Sequence, residues 1–454
     1  MKLQSVNPAT GGLIAEYERH TEVDIEAAIL AADKAFRAGR SDTPTRRADL
    51  LTKTAGILET RKEELAGLMT REMGKPITQA RAEIEKCALV CRYYADNGEA
   101  FLADEMIESG KGRSFVRHLP LGPILAVMPW NYPFWQVFRF AAPNLMAGNT
   151  ALLKHASNVT GCALAIEDVF REAGYPAGSF TTLKAGSDQV AGVLKDPRVR
   201  GATLTGSEKA GSALAGTAGG QVKKTVLELG GSDAFIVMPS ADIGAAVDAG
   251  LASRLKNNGQ SCIAAKRFFL HADIHDDFRE RFLTGLSETV IGDPMDDATG
   301  LGPLVSRDAC EMLHNQVSRT VSLGGRRIGA GQSLPETGAF FEPAILEDIP
   351  AASPAATEEL FGPVAIFYPV RSLTEAIDHA NDHRYGLGSS VWTTDESETE
   401  IAINRIEAGS TYINQMVSSD PKLPFGGVKK SGYGRELSMD GIREFTNRKT
   451  VAIK

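Results

Sequence analysis

The residues NNGQSCIAAKR, 257–267, place a cysteine directly after a run of polar residues that favour a turn. A thiolate is a strong nucleophile, and polar turns and helix N-termini lower the pKa of a thiol. Of the five cysteines in the 454 residues, only Cys262 stands in such a setting. The pattern predicts a nucleophilic Cys262. The alternative is a small buried hydrophobic side chain, which is the usual role of an isolated cysteine.

A carboxylate and an amide lie in segments that could assist such a thiol. Glu228 lies at the end of the strand-like run TVLEL, just before Gly230 and Gly231, and a partly buried carboxylate has the raised pKa that suits a general base. A salt-bridged structural glutamate is the alternative. Asn131 stands just before Pro133, and proline favours the first turn of a helix. The two segments predict a base and an amide donor.

The segment MPWNYPFWQVFRF also carries Trp135 and Arg139, which are four residues apart and share one helix face. Arg139 lies ~12 Å along the helix from Asn131 at ~1.5 Å per residue, and long side chains lean back toward the helix start. A short substrate with a carbonyl at one end and a carboxylate at the other fits this outline. The alternative for Arg139 is a surface or ion-paired residue.

A glycine-containing turn and a lysine together favour a nucleotide site. GATLTGSEKAG, 201–211, places a strand before Gly206, Ser207 and Gly211 and a helix after them. Backbone N–H groups at such a turn bind phosphate. Lys154 ends the apolar run ALLK, where a cation is costly unless it faces a cleft at the carboxyl edge of the sheet. An ordinary tight turn and a surface lysine are the alternatives.

The elements that would position these residues follow from the hydrophobic periodicity. Residues 22–103 carry apolar side chains at three- and four-residue spacing, which predicts helices. Short apolar strands then alternate with helices up to about residue 240, and the alternation resumes afterwards. This pattern predicts two α/β lobes with parallel sheets. The terminal EFTNRKTVAIK reads as a strand, and we expect it to pair, with another subunit as one option, because an unpaired edge promotes aggregation.

The composition limits the classes of partner. The formal net charge of -8 argues against nucleic acid or an anionic membrane, since both attract a basic surface. No apolar run reaches the ~18 residues that span a bilayer. The cysteines are odd in number and scattered, so we expect no disulfide framework and a cytoplasmic protein. Cys87 and Cys91, four residues apart without further ligands nearby, predict packing and no metal site.

Six segments, by their order and spacing, show that the chain resembles the aldehyde dehydrogenases over nearly its whole length. They are PWNYPF (129–134), LTGS (204–207), ELGG (228–231), GQSC (259–262), EELFGP (358–363) and PFGGVKKSGYGRE (424–436). Within the family, the segment from Trp135 to Arg139 is similar to that of the short succinate-semialdehyde dehydrogenases.

The resemblance implies an NAD(P)-dependent oxidation of succinate semialdehyde to succinate. Cys262 would attack the aldehyde and form a thiohemiacetal and then a thioester. Asn131 and the Cys262 backbone N–H would hold the oxyanion, and Glu228 would activate the water that releases the acid. The substrate contacts would be Trp135, Arg139 and Ser419, with Ser418 as an equally placed neighbour of Ser419.

The resemblance also implies a cofactor site. Glu359 would bind the nicotinamide ribose, Phe361 would lie against the ring, and Ser207 would lie along the pyrophosphate. The full set of expected cofactor contacts is Pro129, Trp130, Lys154, Ser157, Gly206, Ser207, Gly211, Leu229, Glu359 and Phe361.

The fold that the resemblance implies is α/β, with three parts. A Rossmann-type cofactor-binding domain would take residues 1–103 and 122–228, and an α/β catalytic domain residues 229–426. A small β element for oligomerisation would take residues 104–121 and 440–454. We therefore expect a homodimer or a homotetramer.

Other functions stay open on the sequence alone. The chain could oxidise another small aldehyde, such as glutarate semialdehyde or a neutral aliphatic aldehyde. A cysteine hydrolase would use the same thiol and base, but Lys154 and Glu359 would then have no purpose. A catalytically silent binding protein would not need Cys262, Glu228 and Asn131 intact.

The segment KHAS predicts the preferred cofactor. NAD-preferring relatives often carry glutamate three residues after the lysine of KPxE, and Ser157 takes that place here. Without an acid to repel the 2′-phosphate, and with Lys154 to attract it, NADP should be preferred, although a neutral residue also tolerates NAD. Steady-state kinetics with both cofactors should therefore give the higher kcat/KM for NADP. A higher value for NAD would make this prediction wrong.

Overall fold

The computed structural model of the chain describes residues 2–110 and 112–454. Met1 and Lys111, which fall in the predicted cofactor-binding and oligomerisation ranges, lie outside the described residues. The strands among the described residues are β1 (Lys2–Val6), β2 (Leu13–Glu18), β3 (Glu105–Ile107), β4 (Arg113–Pro120), β5 (Pro123–Met128), β6 (Thr150–His155), β7 (Phe180–Thr182), β8 (Gly201–Thr205), β9 (Lys224–Glu228), β10 (Asp233–Val237), β11 (Ala265–His271), β12 (Arg326–Gly329), β13 (Ala344–Glu347), β14 (Val364–Val370), β15 (Tyr385–Gly386), β16 (Gly388–Trp392), β17 (Ser410–Ile413), β18 (Val428–Lys429), β19 (Gly432–Tyr433) and β20 (Thr446–Ile453).

The α-helices in the same part of the chain alternate with these strands over most of its length. They are α1 (Glu22–Ala38), α2 (Pro44–Thr60), α3 (Lys62–Met73), α4 (Ile77–Phe101), α5 (Trp135–Met146), α6 (Thr160–Glu172), α7 (Val190–Lys195), α8 (Glu208–Gly220), α9 (Ile243–Leu255), α10 (His275–Glu288), α11 (Arg307–Ser322), α12 (Pro354–Thr357), α13 (Leu373–Asn381), α14 (Glu396–Arg405) and α15 (Ser438–Glu444).

Local sequence sets several of these boundaries. At the start of α1, the Thr21 side chain accepts a hydrogen bond from the Asp24 backbone N–H, and the Asp24 carboxylate accepts one from the Thr21 backbone N–H. This capping box satisfies N–H groups that have no partner within the helix. At the end of α3, Gly74 adopts a left-handed conformation with a φ of 81°, which glycine allows without strain.

The first large sheet has six strands in the order β19-β9-β8-β5-β6-β7. The neighbours from β9 to β7 are parallel, and β19 is antiparallel to β9. The chain leaves β5 for β6 and β7 on one side and returns to β8 and β9 on the other. Ligands bind at the carboxyl ends of strands where connections diverge in this way. The residues that follow β5, β6, β8 and β9 therefore meet at one edge of the sheet.

The second large sheet has seven strands in the order β12-β13-β14-β11-β10-β16-β17. All neighbours are parallel except β12 and β13. The central strand β11 begins at Ala265, three residues after Cys262. Phe268 on β11 packs against Phe235 and Phe367 on the adjacent strands, with ring centres 5.0 and 5.2 Å apart. This aromatic packing keeps rigid the strand that follows the candidate nucleophile.

A third, antiparallel sheet has the order β20-β4-β3. The terminal strand β20 pairs with β4 from Thr446 opposite Pro120 to Ile453 opposite Arg113. The tail thus finds a partner within its own chain, which satisfies the expectation that it pairs. The β20 strand lies at an outer edge of this sheet, and pairing across a subunit boundary stays a prediction. The remaining strands form two small sheets, β1 with β2 and β15 with β18.

Helix α4 is the long helix of the first lobe, and it packs against α2 and α5. Its face toward the core includes Ile84, Cys87, Cys91 and Tyr94, all fully buried. Both cysteines carry free thiols, and burial raises the pKa of each. Burial of both side chains at helical spacing agrees with the predicted packing role.

The α/β class predicted from the sequence is confirmed by the two parallel sheets and their helices. The division into cofactor-binding, catalytic and oligomerisation ranges stays a prediction. Among residues 2–110 and 112–454, no helix combines the length and apolar character needed to cross a membrane. Within these ranges, no three His, Cys, Asp or Glu side chains are grouped as metal ligands.

Candidate functional site

Cys262 lies on a tight loop between α9 and β11 whose backbone is unusual. The residues Asn257, Asn258 and Gly259 have φ values of 55°, 59° and 76°. This left-handed region suits glycine and is tolerated by asparagine. A Cβ on Gly259 would stand 2.3 Å from the carbonyl carbon of Gly362, so only glycine fits there. Backbone geometry therefore requires the turn-forming residues that precede the cysteine.

Amide side chains connect this loop to the predicted amide donor. Asn257 Nδ2 donates to the carbonyl oxygens of Asn131 at 2.7 Å and Gln260 at 3.0 Å. Asn131 Nδ2 donates to Gln260 O at 3.1 Å, and Asn131 Oδ1 accepts from Gln136 Nε2 at 3.1 Å. An asparagine amide has two donor hydrogens, and one acceptor for them is found among the described residues. Asn131 therefore keeps a donor for a ligand oxygen.

Lys266 connects the same loop to a second group of predicted residues. Its buried Nζ donates to the carbonyl oxygens of Ser261 and Cys262, each at 2.8 Å, and pairs with Glu359 at 3.0 Å. The Nζ also lies 6.0 Å from the ring centre of Phe361. Lys266 is not among the residues predicted from the sequence. A lysine inside the apolar run IAAKRFF was a usable signal, because a buried cation needs partners.

Cys262 is half-buried as a residue. Desolvation of its thiol by the surrounding protein raises the thiol pKa to about 12. The charges of Arg139 and Lys266 lower this pKa in part, whereas Glu359 and Glu228 raise it. The polar turn before Cys262 predicted a lowered pKa for the thiol. That expectation is wrong for the free protein, because the desolvation of the thiolate outweighs the nearby cations. Attack on a substrate therefore requires a group that takes the thiol proton.

Glu228 is buried at the carboxyl end of β9. Burial raises its pKa to about 8, the charge of Arg139 offsets part of this rise, and Glu436 adds to it. The Gly427 amide gives the carboxylate some support, but neither oxygen has a hydrogen bond of good geometry to a described residue. A carboxylate with a pKa near neutrality and unsatisfied acceptors can accept a proton from a thiol or from water.

Helix α5 carries Trp135 and Arg139, and a side chain of α4 stabilises its N-terminus. The residue at its N-cap, Phe134, supplies no capping side chain. Glu83 of α4 instead accepts hydrogen bonds from the backbone N–H groups of Phe134 at 3.0 Å and Trp135 at 2.9 Å. A carboxylate at this end of a helix is favoured by the helix dipole. Lys75 pairs with Glu83, so a buried ion pair holds the start of α5.

Arg139 is buried and already has an acidic partner. Its guanidinium pairs with Glu436, donates to Thr205 Oγ1 at 3.3 Å and lies 4.5 Å from the ring centre of Phe425. The ion-paired alternative of the sequence analysis is thus what the structure has. Arg139 still lines the cavity beside Cys262, and its role as a carboxylate anchor stays a prediction.

The cavity has a volume of about 200 Å³, below the roughly 300–1,000 Å³ of sites for drug-sized ligands. Trp135 Nε1 donates to Ser419 Oγ at 3.0 Å within its wall. The structure brings five of the residues named from the sequence together in the lining, including Ser418, the alternative to Ser419. These five and two lysines are Lys86, Trp135, Arg139, Lys256, Cys262, Ser418 and Ser419.

Asn131 and Glu228 do not line this cavity, but both interact with residues that do. Asn131 is bonded to the lining residue Gln136. Glu228 interacts electrostatically with Arg139 and Cys262. The predicted base and amide donor are therefore neighbours of residues that line the cavity.

The turn after β8 has the strand-turn-helix form that the sequence predicts. Ser207 caps α8, and its Oγ accepts a backbone hydrogen bond at 3.3 Å. A Cβ on Gly206 would meet no side chain or backbone atom closer than 3.6 Å, so the protein leaves room above the turn. A Cβ on Gly211 would stand 2.6 Å from Leu229 Cδ2. Gly211 and Leu229 thus serve the close packing of α8 on the sheet.

Lys154 and Ser157 follow the neighbouring strand β6 at the same edge. Lys154 is half-buried, and burial and the charge of Arg19 lower its pKa. No ion pair to Lys154 is found in the described part of the chain. Ser157 is exposed and begins a 3-10 turn. An unpaired cation beside an exposed hydroxyl, next to a helix N-terminus, fits a phosphorylated dinucleotide such as NADP.

One glutamate, Glu359, and two aromatic residues, Trp130 and Phe361, lie near the end of β9. The ring centres of Trp130 and Phe361 are 5.8 Å apart in an edge-to-face arrangement, and Pro129 and Trp130 directly follow β5. A Cβ on Gly230 would stand 2.7 Å from Glu359 Oε2, so glycine allows this carboxylate to approach the strand end. The structure thus gathers these residues near the same sheet edge, and their cofactor contacts stay predictions.

Comparison with known proteins identifies relatives over the full length. Residues 1–451 match the aldehyde dehydrogenase family. A probable succinate-semialdehyde dehydrogenase (NADP+) of Synechocystis sp. is 49% identical over 453 residues, covering 100% of both chains. Succinate-semialdehyde dehydrogenase (NADP+) 1 of Mycobacterium tuberculosis is 48% identical over 456 residues, again 100% of both. The resemblance indicated by the six segments is confirmed.

A solved structure supports the same fold. The succinic semialdehyde dehydrogenase of Streptococcus pyogenes, crystallised in complex with NADP+ as the cofactor, matches with a TM-score of 0.97 and 37% identity, covering 99% of each chain. The predicted aldehyde-dehydrogenase-like architecture is therefore confirmed.

Burial of the Cys262 thiol predicts a pH dependence that alkylation can measure. Because only the thiolate reacts and the pKa is near 12, the rate constant for iodoacetamide at Cys262 should rise about tenfold per pH unit from pH 7 to pH 10 without a plateau. Timed labelling followed by peptide mapping measures this rate. Free cysteine, as the control, should level off around its ordinary pKa of about 8.5. A plateau at Cys262 below pH 9 would contradict the prediction.

Proposed function

The chain belongs to the aldehyde dehydrogenase family, and we propose that it oxidises succinate semialdehyde to succinate with NADP as the preferred hydride acceptor. The observation that carries this proposal is the cavity, in which Cys262 shares a small, partly apolar space with cationic side chains. A short aldehyde with a carboxylate at its far end suits that size and charge. The names of the relatives, at 48–49% identity over their full length, support the same substrate and cofactor.

The first half of the reaction forms a thioester on Cys262. Its sulfur bonds to the aldehyde carbon while Glu228 accepts the thiol proton. Negative charge develops on the aldehyde oxygen, where the available Asn131 donor and the Cys262 backbone N–H stabilise it. Bound NADP supplies the acceptor for the hydride that leaves the thiohemiacetal carbon.

The second half releases the acid. Glu228 first passes the thiol proton to solvent and then accepts a proton from a water molecule, whose oxygen bonds to the thioester carbonyl carbon. The C–S bond then breaks, the sulfur regains a proton from Glu228, and succinate leaves. Because burial raises the pKa of Glu228 to about 8, this carboxylate is a stronger base than an exposed glutamate.

The substrate carboxylate is received at the cationic part of the cavity. Trp135, Arg139 and Ser419 are the predicted contacts, and all three line it. Glu436 neutralises Arg139 in part, so Arg139 supplies hydrogen bonds and geometry more than net charge.

The carboxyl edge of the first sheet receives the cofactor. Lys154 and Ser157 take the 2′-phosphate, since neither is acidic and no ion pair to Lys154 is found in the described ranges. The nearby Asp188 is itself paired with Arg19. Ser207 and the N-terminus of α8 take the pyrophosphate. Glu359 and Phe361 take the nicotinamide ribose and ring.

The assembly and the compartment are further parts of this proposal. We infer a homodimer or homotetramer built through the sheet β20-β4-β3, where the apolar Ile107 and Ile453 are exposed and an outer strand offers a pairing edge. We infer the cytoplasm from the five cysteines, all free thiols, which suit a reducing compartment.

A substrate panel tests the proposed reaction. With saturating NADP, kcat/KM for succinate semialdehyde should exceed that for butanal by about ten- to a hundredfold, because a charge-assisted hydrogen bond is worth roughly 1.5–3 kcal/mol. Initial rates of NADPH formation give both values, and glutarate semialdehyde tests the length. Cys262→Ala, as the control, should show no turnover. Equal or better use of butanal would contradict the substrate, and preference for glutarate semialdehyde would point to a longer acid.

The raised pKa of Glu228 predicts the pH profile. Glu228 must be ionised to accept a proton, so kcat should increase about tenfold per pH unit below its pKa of about 8 and level off above it. Glu228→Gln should lower kcat by about a hundredfold or more and remove this rise. Steady-state rates between pH 6 and pH 9.5 measure it, with thermal melting to show that the variant is folded. A flat wild-type profile below pH 8 would exclude Glu228 as the base.

A further inference from the structure

The cavity beside Cys262 holds more positive charge than its ion pairs neutralise. Arg139 is paired with Glu436. Two further cations line the cavity, Lys86 and Lys256, and neither has an ion-pair partner in the part of the chain that the structure describes. A bound anion would compensate the charge that the protein leaves uncompensated.

The acidic side chain in the described lining, Glu83, is not available to Lys86. Glu83 lies one helical turn before Lys86 on α4, but it is paired with Lys75. The same carboxylate also accepts the two backbone hydrogen bonds at the start of α5. Both oxygens of Glu83 are therefore engaged by the fold, and no ion pair between Glu83 and Lys86 is found in the described part of the chain.

Lys86 is held in a defined position toward the cavity. Its Nζ lies 4.2 Å from the ring centre of Trp135 and donates to Ser419 Oγ at 2.8 Å. Trp135 Nε1 donates to the same oxygen at 3.0 Å. A cation over an indole ring is attracted by the ring face. The aromatic wall and the serine thus orient the ammonium group without neutralising it.

The hydrogen-bond balance at Ser419 leaves donors for a ligand. A serine hydroxyl has one donor hydrogen and two acceptor lone pairs. Both acceptor positions are taken by Lys86 and Trp135, and no acceptor for the hydroxyl hydrogen is found among residues 2–110 and 112–454. The Ser419 O–H and the remaining Lys86 N–H groups are therefore adjacent donors at the cavity wall.

We propose that Lys86, together with the Ser419 hydroxyl, binds the carboxylate of the substrate and makes the cavity selective for aldehydes that carry an acid. This inference rests on the proposed function and adds a residue to it. Arg139 has its own acid in Glu436, whereas Lys86 carries a positive charge that is unpaired among the described residues, beside the Ser419 hydroxyl. Lys86 is thus a specificity-determining residue.

The protonation state of the Lys86 ammonium group supports this role. Burial, together with the charges of Lys256 and Arg139, lowers the pKa of Lys86 to about 8. Below that pKa the group is positively charged, so at pH 7 it can pair with a carboxylate. A substrate carboxylate would offset the burial and the repulsion together.

Three variants test the proposal in the full-length enzyme. Lys86→Met keeps the length and apolar stem of the side chain but removes the charge, and Lys86→Arg keeps the charge. Lys53→Met removes a lysine from the exposed face of α2 and is the matched control. Steady-state kinetics with succinate semialdehyde and butanal give the ratio of the two kcat/KM values for each protein.

Lys86→Met should lower this ratio about tenfold or more, mainly through KM for succinate semialdehyde. Lys86→Arg should retain more of the ratio than Lys86→Met, and Lys53→Met should leave it unchanged. A Lys86→Met variant with the wild-type ratio, or with equal losses for both substrates, overturns the proposal.

A second readout needs neither turnover nor cofactor. Succinate should slow the alkylation of Cys262 by iodoacetamide in the wild type, and butyramide at equal concentration should slow it less. In Lys86→Met the advantage of succinate should disappear. Persistence of that advantage would overturn the role of Lys86.

The two proposals can fail separately. A wild type that does not prefer succinate semialdehyde over butanal contradicts the proposed function. A wild type that prefers it, with Lys86→Met showing the same preference, contradicts the role of Lys86 alone.

Discussion

The desolvation of charged groups around Cys262 is the constraint on which the rest of the site depends. A charge that is buried without a partner costs several kcal/mol. Two of the buried cations at the site therefore form ion pairs with buried or half-buried glutamates. Lys266 pairs with Glu359 while holding the carbonyl of Cys262, and Arg139 pairs with Glu436. Each pair joins elements that are far apart in the chain. The ion pair of Lys266 with Glu359 therefore also fixes the loop that carries Cys262 against the segment that carries Glu359.

The same desolvation tunes the two groups that exchange protons. Burial raises the pKa of the Cys262 thiol to about 12 and that of Glu228 to about 8. In the free protein the thiol is thus mostly protonated at neutral pH, while the carboxylate has a pKa close to neutrality. The thiol is therefore mostly protonated before ligands bind, and the base has a raised pKa. Both properties suit a reaction in which substrate and cofactor must bind before the chemical step begins.

Helix α4 shows how one helix face can serve both structure and recognition. Glu83 and Lys86 are one turn apart, so they reach the same neighbouring helix. The carboxylate of Glu83 pairs with the buried Lys75 and accepts a backbone hydrogen bond at the start of α5. The ammonium of Lys86 rests on Trp135 of α5 and faces the cavity. Neither residue lies in the six segments that identify the family, and neither was noticed in the sequence.

The sequence by itself determined the class of fold and the chemical groups of the site, because strand and helix periods, turn residues and motif order are local properties. Cys262, Glu228 and Asn131 were found in this way. Only the tertiary structure decided the state of those groups and their neighbours. The raised thiol pKa, the partner of Arg139 and the position of Lys86 all depend on burial and on contacts between distant segments, and neither burial nor such contacts can be read from local spacing.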